Sequence, residues 1–589
     1  MLYPFNVVFT LLMIAMLAIA ACPPAQRRLN AVGWIARLGG ACERFARRFY
    51  WPLFALILLL GVLCRVYRFG VLPMGLNQDG AMAAVDGYAL AMYGTDRFGT
   101  SYPAHLWAWG YGQMSALYSY LCIPFFRVMG LSRLSMRLPM LCVSLAMLPV
   151  LWDLARRMRG RGFALLALLL VCVNPWQMMQ SRWALDCNMM SHCLLLGVYL
   201  LVIGAQRRRT WALCLSMAPF AMSMYAYGVA IYSTPVLLLC AAVYLLCKKR
   251  ASLVQVLLCA AIWLLLSAPI ILTMMINYFQ WDTMQLGPIT LQLFDENART
   301  QEIAFMSDDM YRAFAQNALE WLRVTFLQGY DSSTFNSVPG FRTLYIFSFP
   351  ALIAGLVWLV RDRRRAALAG LARTQDGLDC DAGMMLLCWL IAMAVCGLLT
   401  SSPNVNRANG IYYALMLLCA YALYRCVRRV RAFAPLIACM YLLAFGGQCA
   451  VYFSPGYADY TAQNYQPGLY EAIASVKTFP YSFDVVYITS PGEDENENVV
   501  SRMIAAVALG LDRDEMNDEK ELTDASGEPI GYYTDWFWFQ DFSNFTPDPT
   551  GCAVYVIPQS ARALFDEADY LIWDYQQFAV AYPRYWAED

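Results

Sequence analysis

The chain is poor in charge. Only 14% of its 589 residues are Asp, Glu, Lys or Arg, against about a quarter in an ordinary soluble protein. With 60% hydrophobic residues, that scarcity excludes a disordered chain and argues against a soluble multidomain enzyme. Histidine is scarcer still. His105 and His192 are the only two, too few for a histidine-based metal cluster. No Gly-rich phosphate loop and no CxxC pair occurs. The 20 cysteines form no disulfide framework. Most lie in apolar runs, as Cys142, Cys172, Cys240, Cys388 and Cys439 do, and there a thiol serves as a small apolar group. A basic segment before the first apolar run is missing as well. Residues 5–21 have their Arg residues after them, the reverse of a signal peptide, so the run reads as a membrane helix with its N-terminus outside.

Long apolar runs are plentiful. A bilayer-crossing helix needs about 20 such residues. Runs near this length lie at 5–21, 52–67, 138–151, 163–176, 189–205, 211–227, 229–247, 253–275, 344–360, 384–400, 411–426 and 432–450. A polytopic helical bundle of about 12 transmembrane helices is expected.

The net charge of +1 conceals a split. Residues 451–589 hold 24 acids and 6 bases, a net −18, leaving +19 on the rest. The bases cluster at 27–48, 156–161, 207–209, 248–250, 361–365 and 425–431, and basic loops face the cytoplasm. Putting all six clusters inside requires an even number of crossings between neighbours. The weak apolar run 114–129, with Tyr118, Tyr120, Pro124 and Arg127, then lies in the outer interface; the alternative is that it spans and one basic loop faces out. Segments 71–137, 177–188, 277–342 and 401–410 fall outside, together with the acidic tail. Three parts follow: an N-terminal helix and basic cytoplasmic linker (1–50), a transmembrane domain (51–450) and an extracytoplasmic α/β domain (451–589). In the tail, 484–490 and 552–558 are β-branched runs, while 468–476 and 499–509 have helical apolar spacing. Cys552 is its one cysteine, so it has no internal disulfide.

The outer segments hold the candidate chemistry. The first carries Asp79, Asp86, Asp96 and His105 among Trp107, Trp109 and Tyr111, either a site for a sugar-bearing substrate or acids that solvate and cap a loop. In NPWQMMQSRWALDCN, Arg182 sits near Asp186 as an anion ligand or an interface anchor. In SSPNVNRANG, Asn404, Asn406 and Asn409 frame Arg407, which reads as an anion site or a capping cluster. The segment QGYDSSTFNSVPGFRTLY offers Asp331, Asn336 and Arg342 beside Tyr330 and Phe335, a substrate site or a turn-rich loop.

The run NQDGAMAAVDGYALAMYGTDRFGTSYP, then SMRLP, NPWQMMQSRWALDCN, YDSSTFN and NVNRAN, resembles bacterial membrane glycosyltransferases of family 39. These have the GT-C fold and are similar to protein O-mannosyltransferases and lipid A aminoarabinose transferases. The resemblance covers roughly residues 61–450. It implies inverting transfer from a polyprenyl-phosphate sugar, with an acidic base in the first outer loop. That base corresponds to Asp79. The family's usual acidic partner is replaced by Gly80, and Asp86, about two helical turns on, is the possible second carboxylate.

The chemistry agrees with the residues. A carboxylate takes the proton of the attacking hydroxyl. The leaving phosphate needs cations rather than an acid, and Arg182, Arg407, Arg137 and His105 are the candidates. Asn336, Asp331 and Asn406 are candidate substrate contacts. No cofactor is required, and a divalent metal is left open. The expected partners are a polyprenyl-phosphate donor, a hydroxyl acceptor and the lipid bilayer of the plasma membrane, with no nucleic acid. The alternatives are a transporter or flippase of a lipid-linked glycan, or an assembly protein. Ionisable groups at mid-membrane would mark transport, and the predicted helices hold few acids.

Overall fold

In the computed structural model the described residues are all except 1–3, 109–111, 295–309, 327–335, 372–376, 402, 491–494, 518–519, 524–528, 534–535, 544 and 588–589. All twelve apolar runs are helical. Eight helices among the described residues are long and apolar enough to cross a membrane: Pro4–Ala21, Arg133–Arg159, Asp186–Arg207, Ala230–Cys247, Leu253–Phe279, Cys380–Leu399, Asn409–Arg429 and Phe433–Tyr452. A ninth arises if Gly33–Arg48 and Tyr50–Val66, bent by 82°, count together. The other three runs fall short of that measure for visible reasons. Arg161–Cys172 has 12 residues and Thr210–Ala226 has 17, while Phe349–Leu368 carries a cluster of charges in its last turns. The chain is a multi-pass membrane protein. Leu117–Met129 has 13 residues, which spans about 20 Å of a hydrocarbon core of about 30 Å.

Tyr412–Arg429 is the central helix. It is buried continuously from Tyr412 to Leu423, whereas Leu253–Phe279 buries only five side chains and lies at the rim. The basic clusters converge on one end of the bundle. Asn30 donates to Arg429 O at 2.9 Å, Gln206 to Asp379 Oδ1 at 2.9 Å and Arg250 to Asp381 at 2.9 Å. Asp379 N donates to Met158 O at 2.8 Å, and Arg363 bonds Cys380 O.

The described parts of segments 71–137, 177–188, 277–342 and 401–410 gather at the opposite end, together with the tail. Trp176 N bonds Thr343 O at 3.0 Å and Thr290 N bonds Ser101 O at 3.2 Å. Tyr93 donates to Asp512 at 3.0 Å, and Arg133 pairs with Glu471.

The tail folds as an α/β unit on a seven-stranded mixed sheet. The strand order is Tyr570–Tyr575, Phe578–Pro583, Ala553–Pro558, Val485–Thr489, Phe537–Gln540, Pro529–Tyr533, Lys520–Thr523. The two β-branched runs are central neighbours and run parallel, with Val486 opposite Val554. The β-branched run Ala553–Pro558 is almost wholly buried. The helices Leu469–Val476 and Glu495–Leu509 contact one another and the sheet. The edge strands 520–523 and 570–575 are less apolar than the centre, which is why the sequence pattern did not mark them.

Candidate active site

The turn before Asp79 is fixed from two sides. Arg137, 1% exposed, donates to Pro73 O at 3.1 Å and Gly75 O at 2.7 Å. Gly75 has φ +76, and a Cβ there would lie under 3.0 Å from Tyr465 O. Only glycine suits both the conformation and the contact. Asn77 then caps the helix Gln78–Tyr93, its Oδ1 accepting from Asp79 N at 3.1 Å and Gly80 N at 3.4 Å. Asp79 thus stands in the first turn, where the helix dipole favours a carboxylate.

Gly80 abuts the next segment. A Cβ on it would come under 3.0 Å from Ala184 O. The small residue at position 80 is therefore a packing requirement, and it lets the 182–187 segment approach. Asp186 opens the helix Asp186–Arg207 and lines one cavity with Asp79, Gln113, Cys187, Tyr227 and Asn406. The cavity measures about 80 Å³, room for a hydroxyl and a few waters. Asn406 Oδ1 is buried with no hydrogen-bond partner among the described residues. Arg407, next in the chain and half-buried, donates from Nη1 to Ser401 O, and its backbone N donates to Asn404 Oδ1 at 2.9 Å.

Beneath the cavity lies a buried amide network. Asn336 donates to Asn188 Oδ1 at 2.8 Å and accepts from Trp183 Nε1 at 3.0 Å. Asn409 donates to Asn188 Oδ1 at 3.1 Å and accepts from Trp176 Nε1 at 2.6 Å. These bonds join segments 174–188, 336–343 and 404–411, whose amides would be costly to bury unpaired. An apolar groove of about 440 Å³, lined by Tyr102, Ala116, Tyr120, Tyr225 and Pro269, begins two residues along the chain from the cavity's Met114 and Tyr227.

Asp79 and Asn406 are thus brought together, with Arg407 beside them. The other sequence candidates stand elsewhere. Arg182 is fully buried. It donates to Tyr452 Oη at 2.9 Å, Cys64 O at 2.9 Å, Arg65 O at 2.8 Å and Tyr67 O at 2.8 Å. It closes the carbonyl end of the helix Tyr50–Val66, which would otherwise be left unsatisfied. Arg137 holds the 73–75 turn. His105 is buried with its ring edge-on to Phe294 at 6.2 Å. Asp86, 1% exposed, pairs with Arg97 at 2.7 Å and anchors the 95–108 segment; burial pushes its carboxyl up to about 7 against the opposing charge of Arg97. Asp331 lies outside the described residues, as do Trp109 and Tyr111. Asp186, Gln113 and Tyr227 were not singled out by sequence reasoning. An acid opening a 22-residue helix, within an already notable motif, was the available signal for Asp186. Asp79, Asp186 and Asn406 offer oxygen donors to a cation. Among the described residues no group of three or more His, Cys, Asp and Glu gathers.

Residues 115–276 match the family model of the dolichyl-phosphate-mannose-protein mannosyltransferases. That stretch contains Arg182 and Asp186; Asp79 and Asn406 lie outside it. The match bears out the resemblance carried by the motifs and supports a glycosyltransferase of the GT-C, family 39-like kind. None of the curated proteins matches the chain. Similar solved structures include ArnT from Cupriavidus metallidurans bound to undecaprenyl phosphate, at 13% identity and TM-score 0.49, covering 91% of this chain and 98% of that one. The oligosaccharyltransferase AglB from Archaeoglobus fulgidus, in complex with an inhibitory peptide and a dolichol-phosphate, is similar at 15% identity and TM-score 0.45, covering 78% and 64%. A complex of the Archaeoglobus fulgidus oligosaccharyltransferase with zinc and sulfate is similar at 13% identity and TM-score 0.47, covering 77% and 61%. The chain thus spans less than two thirds of the length of these archaeal chains.

Proposed function

We propose that this family 39-like glycosyltransferase moves a sugar from a polyprenyl-phosphate donor to an acceptor hydroxyl, with inversion and with Asp79 as general base. The observation that carries the reading is the cavity shared by Asp79, Asp186 and Asn406, beside an apolar groove of about 440 Å³ suited to a lipid tail. The hydroxyl oxygen attacks the anomeric carbon from the face opposite the phosphate, and its proton passes to Asp79. The bond between the anomeric carbon and the phosphate oxygen breaks, and polyprenyl phosphate leaves as the anion. Charge growing on its oxygens calls for a cation, and Arg407, next in the chain to the cavity's Asn406, is the candidate among the described residues.

Asp186 serves as the second carboxylate and orients the acceptor hydroxyl. Asn406 offers its unpaired Oδ1 to a substrate hydroxyl. Arg182, Arg137 and Asn336 are positioning residues, since their hydrogen bonds are made to the protein frame. The loop end and the tail face the outside of the plasma membrane and the basic ends face the cytoplasm, a reading supported by the convergence of the basic clusters. The test is transfer by the purified full-length protein from a panel of polyprenyl-phosphate sugars. Release of polyprenyl phosphate coupled to a glycosylated acceptor supports the reading. Movement of a lipid-linked glycan across vesicles without sugar transfer overturns it.

A further inference from the structure

A second groove opens at the basic end of the bundle, far in the chain fold from Asp79. It measures about 310 Å³ and is lined by Leu201, Met217, Leu238, Leu245, Val256 and Trp263, among others, from four helices. Among the described lining residues the polar groups are few, Gln255, the Cys259 thiol and the Trp263 indole N–H, and Gln255 is committed elsewhere: Nε2 donates to Thr210 Oγ1 at 2.6 Å and Oε1 accepts from Ser252 N at 2.8 Å. The walls are therefore suited to hydrocarbon. Along the helix Leu253–Phe279 and its preceding turn, the lining runs from Ala251 to Trp263, about 18 Å at 1.5 Å per residue. Half of a hydrocarbon core is about 15 Å. The groove thus has the length of one leaflet, measured from the basic end.

That end carries unbalanced positive charge. Arg207, Arg208, Arg209, Lys248 and Lys249 are exposed. The acids nearby are engaged with other groups: Asp153 pairs with Arg156 and Arg157, Asp362 with Arg425 and Asp381 with Arg250. Asp379 caps a helix and accepts from Gln206. The groove is apolar, one leaflet deep and topped by cations. We infer that it binds an anionic glycerophospholipid of the leaflet at the basic end, one acyl chain between the helices and the phosphate among these Arg and Lys side chains. The proposed topology supplies only the leaflet's name, cytoplasmic. The polyprenyl donor, whose reacting group belongs at the opposite end, is a different ligand.

The test reads bound lipid and involves no sugar transfer, so it is independent of the catalytic assignment. Full-length protein is reconstituted with equal phosphatidylglycerol and phosphatidylcholine, stripped with detergent and weighed intact by native mass spectrometry. One retained phosphatidylglycerol is expected, favoured at least tenfold over phosphatidylcholine. Lys248→Gln with Lys249→Gln should lower that preference about fivefold per cation. Ala242→Trp, which fills the groove, should abolish retention at an unchanged thermal midpoint; Ala242→Leu is the milder variant if the tryptophan protein does not fold. Equal retention of the two lipids, retention unaffected by filling the groove, or displacement by added polyprenyl phosphate would each overturn the inference.

Discussion

Replacing Gly80 by alanine sets two effects of opposite sign against each other. On helix propensity alone the change stabilises, by up to about 1 kcal/mol, because glycine loses more backbone freedom on folding. On packing it destabilises. The new Cβ would come under 3.0 Å from the Ala184 carbonyl. That obstacle is backbone and cannot rotate away like a flexible side chain. Overpacking of this kind costs about 1–3 kcal/mol, so sterics prevail and a net loss of about 1–2 kcal/mol is expected. The larger consequence is for rate. Relief of the contact moves Asp79 and Asp186 apart, and a misplacement of about 1 Å costs about a hundredfold in turnover. Gly80→Glu should do worse than Gly80→Ala, although it adds a carboxylate beside Asp79. The assay is kcat for sugar transfer beside the thermal midpoint in detergent. Wild-type turnover and stability in Gly80→Ala would refute the reasoning, as would a gain of activity in Gly80→Glu.

Arg182→Lys should not rescue Arg182→Ala. An ammonium cannot reproduce the fork that reaches the three carbonyls and Tyr452, so both variants should forfeit charge-assisted hydrogen bonds worth about 1.5–3 kcal/mol each, read as a collapse of the thermal midpoint rather than a rise in KM. Asp86 gives a pH signature. Its folded carboxyl lies at about 7, above the ordinary 3.8, so its contribution to stability is complete below about 4 and is lost as pH rises through about 7. Asp86→Asn should remove that component of the slope when midpoints are compared from pH 4 to 8; an unchanged slope contradicts it. Asp186→Asn should lower kcat, but less than substitution of Asp79, with the thermal midpoint within about 1 kcal/mol of wild type; full activity would remove Asp186 from the site.

Charge was the most legible feature of the sequence. The six basic clusters converge on one end of the bundle, and the described parts of segments 71–137, 177–188, 277–342 and 401–410 meet at the other. Segregated loops, unlike side-chain contacts, follow from the alternation of apolar runs and can be read along the chain. The number of spans was less legible, because a run such as 344–360 passes directly into Arg361–Arg365 within one helix. The motifs singled out Asp79 and Asn406, which line one cavity, but they carry no sign of the hydrogen bonds that the arginines make. Arg182 meets carbonyls 115 to 118 residues away, and backbone acceptors leave no pattern in side chains. Arg137 is hidden for the same reason. Asp86 stands on the helix of Asp79, yet its fate is decided by Arg97, 11 residues on, through a turn that periodicity does not describe.

The most direct measurement is single-turnover sugar transfer by purified Asp79→Asn protein, with binding of the polyprenyl-phosphate donor followed in parallel. Loss of the general base predicts donor binding within a few fold of wild type and a transfer rate lower by about 10²–10⁴. Transfer at the wild-type rate, with the fold and donor binding intact, would show that another group takes the proton.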